Sequence, residues 1–389
     1  MAKVLLSTTM LWPAPARLAG AFAACGATVE ALAPRRHPVG ESKSLAKLHP
    51  YRPLQAISGL RSALEAARPD LVIPCDDRAV RHLVALADEE EGFADLVARS
   101  IGRLAGYGML LSRSAFLQEA SGLGIEIPPI REVATEADLK SALHDIGLPA
   151  ALKTDGSWGG EGVCLVHTYD EALAAFRHLA LAPSRLRSLA RAARRQDAHF
   201  LLDAVEPKDY AISVQRFVKG VPATCSFAAW DGHVTASLHM DVLETREPRG
   251  PATVLNRVFS PQMDEAARAI ARQFGLCGFH GLDFIRDASG KLFLIEINPR
   301  ATQICHLALG EGRDLPAALL AAFEGRTATP RPVVTDASVI ALFPQSVGQG
   351  THHAGAYHDL PADDPALLHA LSAQKDIHSR ESLAALQNG

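Results

Sequence analysis

Over the first hundred residues, short apolar runs alternate with stretches of helical periodicity, and this alternation limits the fold more than any other feature. VLLS at 4–7, TVEALAP at 28–34 and DLVIPCDD at 70–77 read as strands, and residues 16–25, 54–67 and 78–88 read as helices. A strand–helix–strand rhythm of this kind predicts a parallel, doubly wound sheet. Ligands of such sheets collect at the carboxyl ends of the strands, which puts Ser7-Thr8-Thr9 and Cys75-Asp76-Asp77 on one rim, with Asp77 expected to cap its helix. A nicotinamide dinucleotide is disfavoured there, because the turn after the first strand, STTMLWP, lacks the glycines that let a backbone approach a pyrophosphate.

The chain has 389 residues, 48% hydrophobic and 21% charged, enough for two to four domains with real cores. Its formal charge of −4 gives no basic excess that would draw it to nucleic acid or to a membrane surface. Cys25, Cys75, Cys164, Cys225, Cys277 and Cys305 form no CxxC pair and no metal-ligand spacing, so they read as buried thiols of a reducing compartment. The opening MAKVLLSTTMLWPAPARLAGAFAACGA has the ingredients of a signal peptide, but Pro13, Pro15 and Arg17 interrupt any apolar helix. No run approaches the roughly 18 apolar residues of a membrane span. The expected location is the cytoplasm.

After Gly106 the pattern changes. Residues 112–120 look helical, 122–129 break into an extended piece, and 135–146 form a helix with Thr135 as N-cap and Asp138 three positions on. KTDGSWGGEGV at 153–163 then lies between two apolar runs. Glycines there suit either a routine hairpin turn or a backbone cradle for phosphate oxygens, to which Lys153 would add charge. The loop matches neither GxxxxGK[ST] nor GxGxxG. Five arginines between 184 and 196 lack interleaved aromatics and read as a solvated face. From 210 to 259, alternating runs separated by turns such as Trp230-Asp231-Gly232-His233 predict an antiparallel sheet, followed by a helix over 262–274 with Pro261 near its first turn.

The segment FHGLDFIRDASGKLFLIEINPR, at 279–300, reads as two strands joined at Asp287-Ala288-Ser289-Gly290. Period two puts Glu296, Asn298 and Arg300 on one face, and pairing of the strands would set Asp283 opposite Glu296 with Cβ atoms about 5 Å apart. Leu282, Phe284, Ile295 and Ile297 are expected on the opposite, core-facing side. Facing carboxylates repel, so they need either a salt bridge to Arg300 or another base, or a hard divalent cation such as Mg²⁺.

Taken in order, Arg113 in LLSRSAF, Lys153 with its glycine loop, VQRFVKG, and GLDFIRD followed by GKLFLIEINPR resemble the ATP-grasp superfamily of ATP-dependent carboxylate ligases. The resemblance covers about residues 106 to 310, and the family's preceding doubly wound domain corresponds to residues 1–105. It implies an α/β chain with α+β nucleotide lobes. An N-terminal doubly wound sheet would precede a two-lobed ATP-grasp domain at 106–325 (lobes 106–218 and 219–325), with a closing element at 326–389. Lys153 would hold nucleotide phosphates under a flap made by Gly156, Ser157, Gly159, Gly160 and Gly162. Gln215 with Arg216, Phe217 and Val218 would face adenine. Asp283, Glu296 and Asn298 would hold Mg²⁺, with Mn²⁺ as a substitute, and Arg300 would stabilise an acyl phosphate or the carboxylate being activated. Two positions depart from the family pattern. Arg113 replaces the usual lysine beside the nucleotide, keeping charge but preferring bidentate geometry, and Arg216 stands where an acid is common.

The implied cofactors are ATP and Mg²⁺, and the implied partners are a small carboxylate, an amine and a second copy of the chain in a homodimer, with no nucleic acid and no membrane. In such chemistry the γ-phosphoryl group of ATP makes the carboxylate an acyl phosphate that the amine attacks, and the protein contributes position and charge. His280, Cys305 and His306 are then residues that pack or that support the groups touching substrate. Arg249 in REPRGPAT either grips a substrate carboxylate or belongs to a turn. Adjacent His352 and His353 on a strand would face opposite sides and share no metal. Two other readings are a carboxylase or carbamoyl-phosphate-type enzyme acting on bicarbonate, although the chain has no biotin-carrier lysine turn, and a nucleotide-binding protein without catalysis.

Overall fold

The computed structural model describes residues 1–155, 162–180, 211–247, 250–347 and 355–373. Contacts gather them into two compact units, each built from separated stretches of chain. The first comprises residues 1–104, 223–281 and 298–389, and the second residues 105–222 and 282–297.

The first unit opens with the parallel sheet that the N-terminal alternation predicts. Strands β1 (Lys3–Ser7), β2 (Thr28–Ala33), β3 (Lys47–Pro50) and β4 (Leu71–Pro74) lie in the order β3-β2-β1-β4, all parallel. Leu5 is paired with Glu30 on one side and Val72 on the other. The inner strands β1 and β2 are buried nearly throughout, as a sheet covered on both faces must be. Strand β3, KLHP, has no apolar run to announce it. It is an edge strand whose His49 Nε2 lies 2.6 Å from Glu30 Oε2.

Helix Asp77–Glu89 begins one residue earlier than a cap at Asp77 requires. Asp76 keeps extended backbone and is the N-cap, its carboxylate accepting from Ala79 N–H at 2.9 Å and from Thr9 N–H at 2.6 Å. Asp77, in the first helical turn, is left to another partner, described below. Elsewhere the local signals hold. Thr135 and Asp138 form the reciprocal capping box, and Pro261 is the first residue of helix Pro261–Phe274.

In the second unit, β5 (Ile130–Val133), β6 (Ala150–Thr154), β7 (Val163–Val166) and β8 (Ile212–Arg216) form an antiparallel sheet in the order β5-β8-β6-β7. One face packs on helices Glu136–Ile146 and Tyr169–Ala180 through Ala150, Leu152, Ile212 and Val214, together with Leu139, Leu143 and Phe176. By period two, Ala151, Lys153, Ser213 and Gln215 occupy the other face.

A third sheet has the order β13-β12-β9-β10-β11-β14-β15, with β9 (Gly220–Trp230), β10 (His233–Thr245), β11 (Ala252–Arg257), β12 (Gly278–Asp287), β13 (Leu292–Asn298), β14 (Val339–Leu342) and β15 (Tyr357–Asp359). The turn between β9 and β10 falls where the sequence places it, with Asp231 and Gly232 both at positive φ, the requirement of a two-residue hairpin loop that matches strand twist. Leu238, Met240, Leu255 and Phe279 share one core with Val4, Leu6, Phe22 and Ile73 of the first unit, and the Phe22 and Phe279 rings stack at 5.6 Å. After β15, Asp364 caps helix Pro365–Ser372 and also accepts from Ser42 Oγ at 3.0 Å and Lys43 N–H at 2.9 Å.

Strand β12 starts at Gly278, whose φ is +79° and whose position would bring an added Cβ to 2.2 Å from the carbonyl oxygen of Ser100. Gly278→Ala is therefore expected to lower stability by about 2 kcal/mol or more. Urea unfolding measures this, and an unchanged midpoint would refute it.

Candidate active site

Lys153 owes its position to strand periodicity. Its neighbour Leu152 enters the core of the second unit, so Lys153 lies on the other face, in register with Ser213 and one residue diagonal from Gln215. It is buried, and its ammonium donates to Gln215 Oε1 at 2.5 Å. Burial, then the positive charge of Arg113, pull its pKa down to about 8, against the opposing pull of Glu296 and Asp283. The Gln215 Nε2 group and the Ser213 hydroxyl on the same face are buried without a hydrogen-bond partner among the described residues. A buried cation beside unsatisfied polar groups suits a polar, anionic ligand.

Arg113 is the first residue of helix Arg113–Gly122, behind the N-cap Ser112. Its guanidinium is only 6% exposed and donates from Nη1 to the Thr154 carbonyl at 3.1 Å and from Nη2 to Glu296 Oε1 at 2.7 Å. Its backbone N–H faces both Asp155 carboxylate oxygens at 3.4 Å, where a helix N-terminus favours negative charge. Burial pushes the Asp155 pKa up, with Arg113 opposing. Two cations and three carboxylates thus lie within electrostatic reach of one another in the second unit: Arg113, Lys153, Asp155, Asp283 and Glu296. Asp155 was not among the expected site residues. Its signal in the sequence was its place directly after Lys153-Thr154, where the strand ends beside the loop.

The salt-bridge alternative for the acidic hairpin is realised at Glu296, with Arg113 as the base. Of the four apolar residues expected to face away from the carboxylates, Leu282, Phe284 and Ile297 are buried, but Ile295 is half-buried and Leu294 is fully buried in its stead. The buried positions of β13 change parity between Leu294 and Ile297, so strict alternation does not run the length of the strand. Such a phase change is what a local bend or bulge produces.

Arg300 and Asn298 belong to the first unit, with Asp77. Arg300 donates from Nε to Asp77 Oδ1 at 3.0 Å and from Nη2 to Asn298 Oδ1 at 2.9 Å. In the segment after Gln215, the Arg216 N–H donates to the Pro129 carbonyl at 2.9 Å and the Phe217 N–H to the Pro149 carbonyl at 3.1 Å, while no described residue accepts from Val218 N–H. Gly162 accepts from Thr154 N–H at 3.0 Å. Gly156, Ser157, Gly159, Gly160, Arg249, His352 and His353 lie outside the described residues. His280 and His306 are packing residues, held by the Cys277 carbonyl at 2.8 Å and by Asp359 Oδ2 at 2.6 Å, and Cys305 is buried. Burial holds the His280 pKa down at about 4. Among the described residues no three His, Cys, Asp or Glu side chains converge as a metal site, and no helix is long and apolar enough to cross a membrane.

The model of the ATP-grasp domain matches residues 192–303 of this chain. ATP-grasp is thus the family whose domain this stretch of the chain matches. Formate-dependent phosphoribosylglycinamide formyltransferase of Mycolicibacterium smegmatis is 27% identical over 249 residues, which is 62% of this chain and 56% of that protein. The chain therefore spans little more than half the length of this relative. Solved structures share the fold of this chain, two of them as follows. N5-carboxyaminoimidazole ribonucleotide synthetase of Thermus thermophilus superposes with TM-score 0.60 at 19% identity, over 85% of this chain and 81% of its own. The biotin carboxylase domain dimer of Hydrogenobacter thermophilus 2-oxoglutarate carboxylase, solved with MgADP, ADP and bicarbonate, gives TM-score 0.60 at 14% identity, over 84% and 70%.

Lys153 has a pH signature. Because its folded pKa, about 8, is below the ordinary 10.5, the unfolded chain binds the extra proton between those values and stability rises with pH there. The rise should amount to roughly 2–3 kcal/mol and be absent from Lys153→Met. Urea unfolding of both proteins between pH 7 and 10 checks this, and parallel pH courses would contradict it.

Proposed function

We propose that the chain is an ATP-dependent, ADP-forming ligase that activates a small carboxylate as an acyl phosphate for attack by an amine. The observation that carries this reading is the buried Lys153 beside Arg113, Asp283 and Glu296, with the unsatisfied Gln215 amide and Ser213 hydroxyl on the same sheet face. The ATP-grasp domain match over residues 192–303 supports it, as do the ADP and MgADP bound to a protein of the same fold.

In this reading Lys153 holds phosphate oxygens, its desolvated ammonium interacting more strongly than one in water would. Gln215 orients that ammonium and, with the N–H of Val218, offers polar contacts to the adenine. The two carboxylates of the second unit, Asp283 and Glu296, suit Mg²⁺, which is commonly held by one or two carboxylates together with water and substrate phosphates, and Asn298 is the amide that the family resemblance adds. Bound Mg²⁺ would neutralise charge on the phosphoryl group in transfer. Arg300, oriented through Nε by Asp77, holds the carboxylate or its activated form. Arg249 is a second candidate for a substrate carboxylate.

The formyltransferase similar to this chain is formate-dependent, and the carboxylase domain of the same fold was solved with bicarbonate. Both are one-carbon oxyacids, so formate and bicarbonate head the carboxylates to test. Bicarbonate would make the enzyme a carboxylase, the second reading. The dimeric state of that carboxylase domain likewise motivates a homodimer here. Cysteines that form no disulfide fit a reducing cytoplasm.

Purified protein incubated with MgATP and pairs of small carboxylates and amines is expected to release ADP and phosphate. AMP and pyrophosphate would contradict acyl-phosphate chemistry. Lys153→Ala and Glu296→Gln should each reduce turnover by about a hundredfold or more while circular dichroism shows a folded chain. Undiminished turnover in both would remove these residues from the mechanism.

A further inference from the structure

Glu296 stands in this reading as a metal ligand, yet its Oε1 is 2.7 Å from a guanidinium. We propose that Arg113 is a placeholder cation: without nucleotide it occupies Glu296, and a divalent ion gains that carboxylate only when nucleotide phosphates arrive to take the arginine. The proposal rests on the nucleotide and metal reading given above.

The geometry favours a held, rather than incidental, contact. Arg113 is 6% exposed on its side chain, against 35% for Glu296. Its Nη1 is fixed by the Thr154 carbonyl at 3.1 Å while Nη2 reaches Glu296. A planar fork can satisfy two separate oxygens at once, which the compact ammonium of a lysine does less well. The guanidinium also stays charged throughout the accessible pH range, so loss of its proton cannot release Glu296. Release requires a competing anion, and a triphosphate is a strong one for an arginine. The outer oxygen partner is the more exposed member of the pair, open to an incoming ion once the arginine turns away.

Two consequences follow. The metal binds with the nucleotide and not before it, because a cation arriving alone meets a carboxylate already neutralised by Arg113. By reciprocity, each ligand raises the affinity of the other by the same factor. Arg113 thereby sets the order of loading, a role that a residue serving only as a phosphate contact would not have.

The test uses the full chain and Mn²⁺ as the probe, with free Mn²⁺ read by electron paramagnetic resonance in the presence and absence of a non-hydrolysable ATP analogue. In the parent, measured against the Mn²⁺ that the analogue binds without protein, the analogue should tighten Mn²⁺ binding to the protein at least about tenfold, as coupling of a close charge pair allows. Arg113→Met should bind Mn²⁺ without nucleotide at least about tenfold tighter than the parent, and the gain from the analogue should shrink. Arg113→Lys, which keeps the charge but not the fork, should lie between them, and it decides the matter where Arg113→Met fails to fold. If the parent binds Mn²⁺ alone as tightly as the folded variants, the proposal is overturned while the nucleotide reading stands. If calorimetry shows that the parent binds neither Mn²⁺ nor the analogue, the nucleotide reading falls and takes this proposal with it.

Discussion

A lysine ammonium held out of water is the constraint around which the second unit is organised. An isolated buried charge is costly, so Lys153 needs carboxylates within reach and an oxygen to accept its proton. Gln215 supplies the oxygen, and Glu296 and Asp283 supply the countercharge, from strands far apart in sequence. The sheet makes this arrangement possible. One face of β6 and β8 is filled by leucine, valine and isoleucine, which frees the alternate positions for polar groups without weakening the core.

Arg113 then raises the electrostatic stakes. A second cation close to Lys153 pushes against it, and the pair is tolerable because Arg113 is tied to Glu296, Asp155 and the Thr154 carbonyl. The result is a set of charges that is internally matched yet keeps polar groups on Gln215 and Ser213 unsatisfied among the described residues. Matched charge lowers the cost of burying the two cations. Unsatisfied donors on a rigid sheet provide preorganised contacts for a ligand, whose ordering cost is thereby reduced.

In the first unit, Asp76 and Asp77 show how adjacent acids take different roles. Asp76 terminates the extended strand and closes the helix end, with Thr8 and Thr9 bound to the same carboxylate. Asp77 points its oxygen at Arg300, leaving that guanidinium anchored through Nε. The difference of one residue changes a capping group into an orienting one, because only the position with extended backbone can reach the free N–H groups of the first turn.

The amino-acid sequence alone determined what depends on local periodicity and turn chemistry. It determined the parallel N-terminal sheet, the capping box at Thr135, the Asp231-Gly232 turn and the turn of the β12–β13 hairpin, because each is written in local periodicity or turn chemistry. Strand β3 escaped, since an edge strand needs few apolar residues and KLHP has none of the usual pattern. Only the tertiary structure decided which charges meet. Arg113 and Glu296 are separated by 183 positions and Asp77 and Arg300 by 223, and no periodicity links them. Coulomb interactions act through space, so the choice between a cation-ready carboxylate and one already paired with arginine belongs to the folded chain.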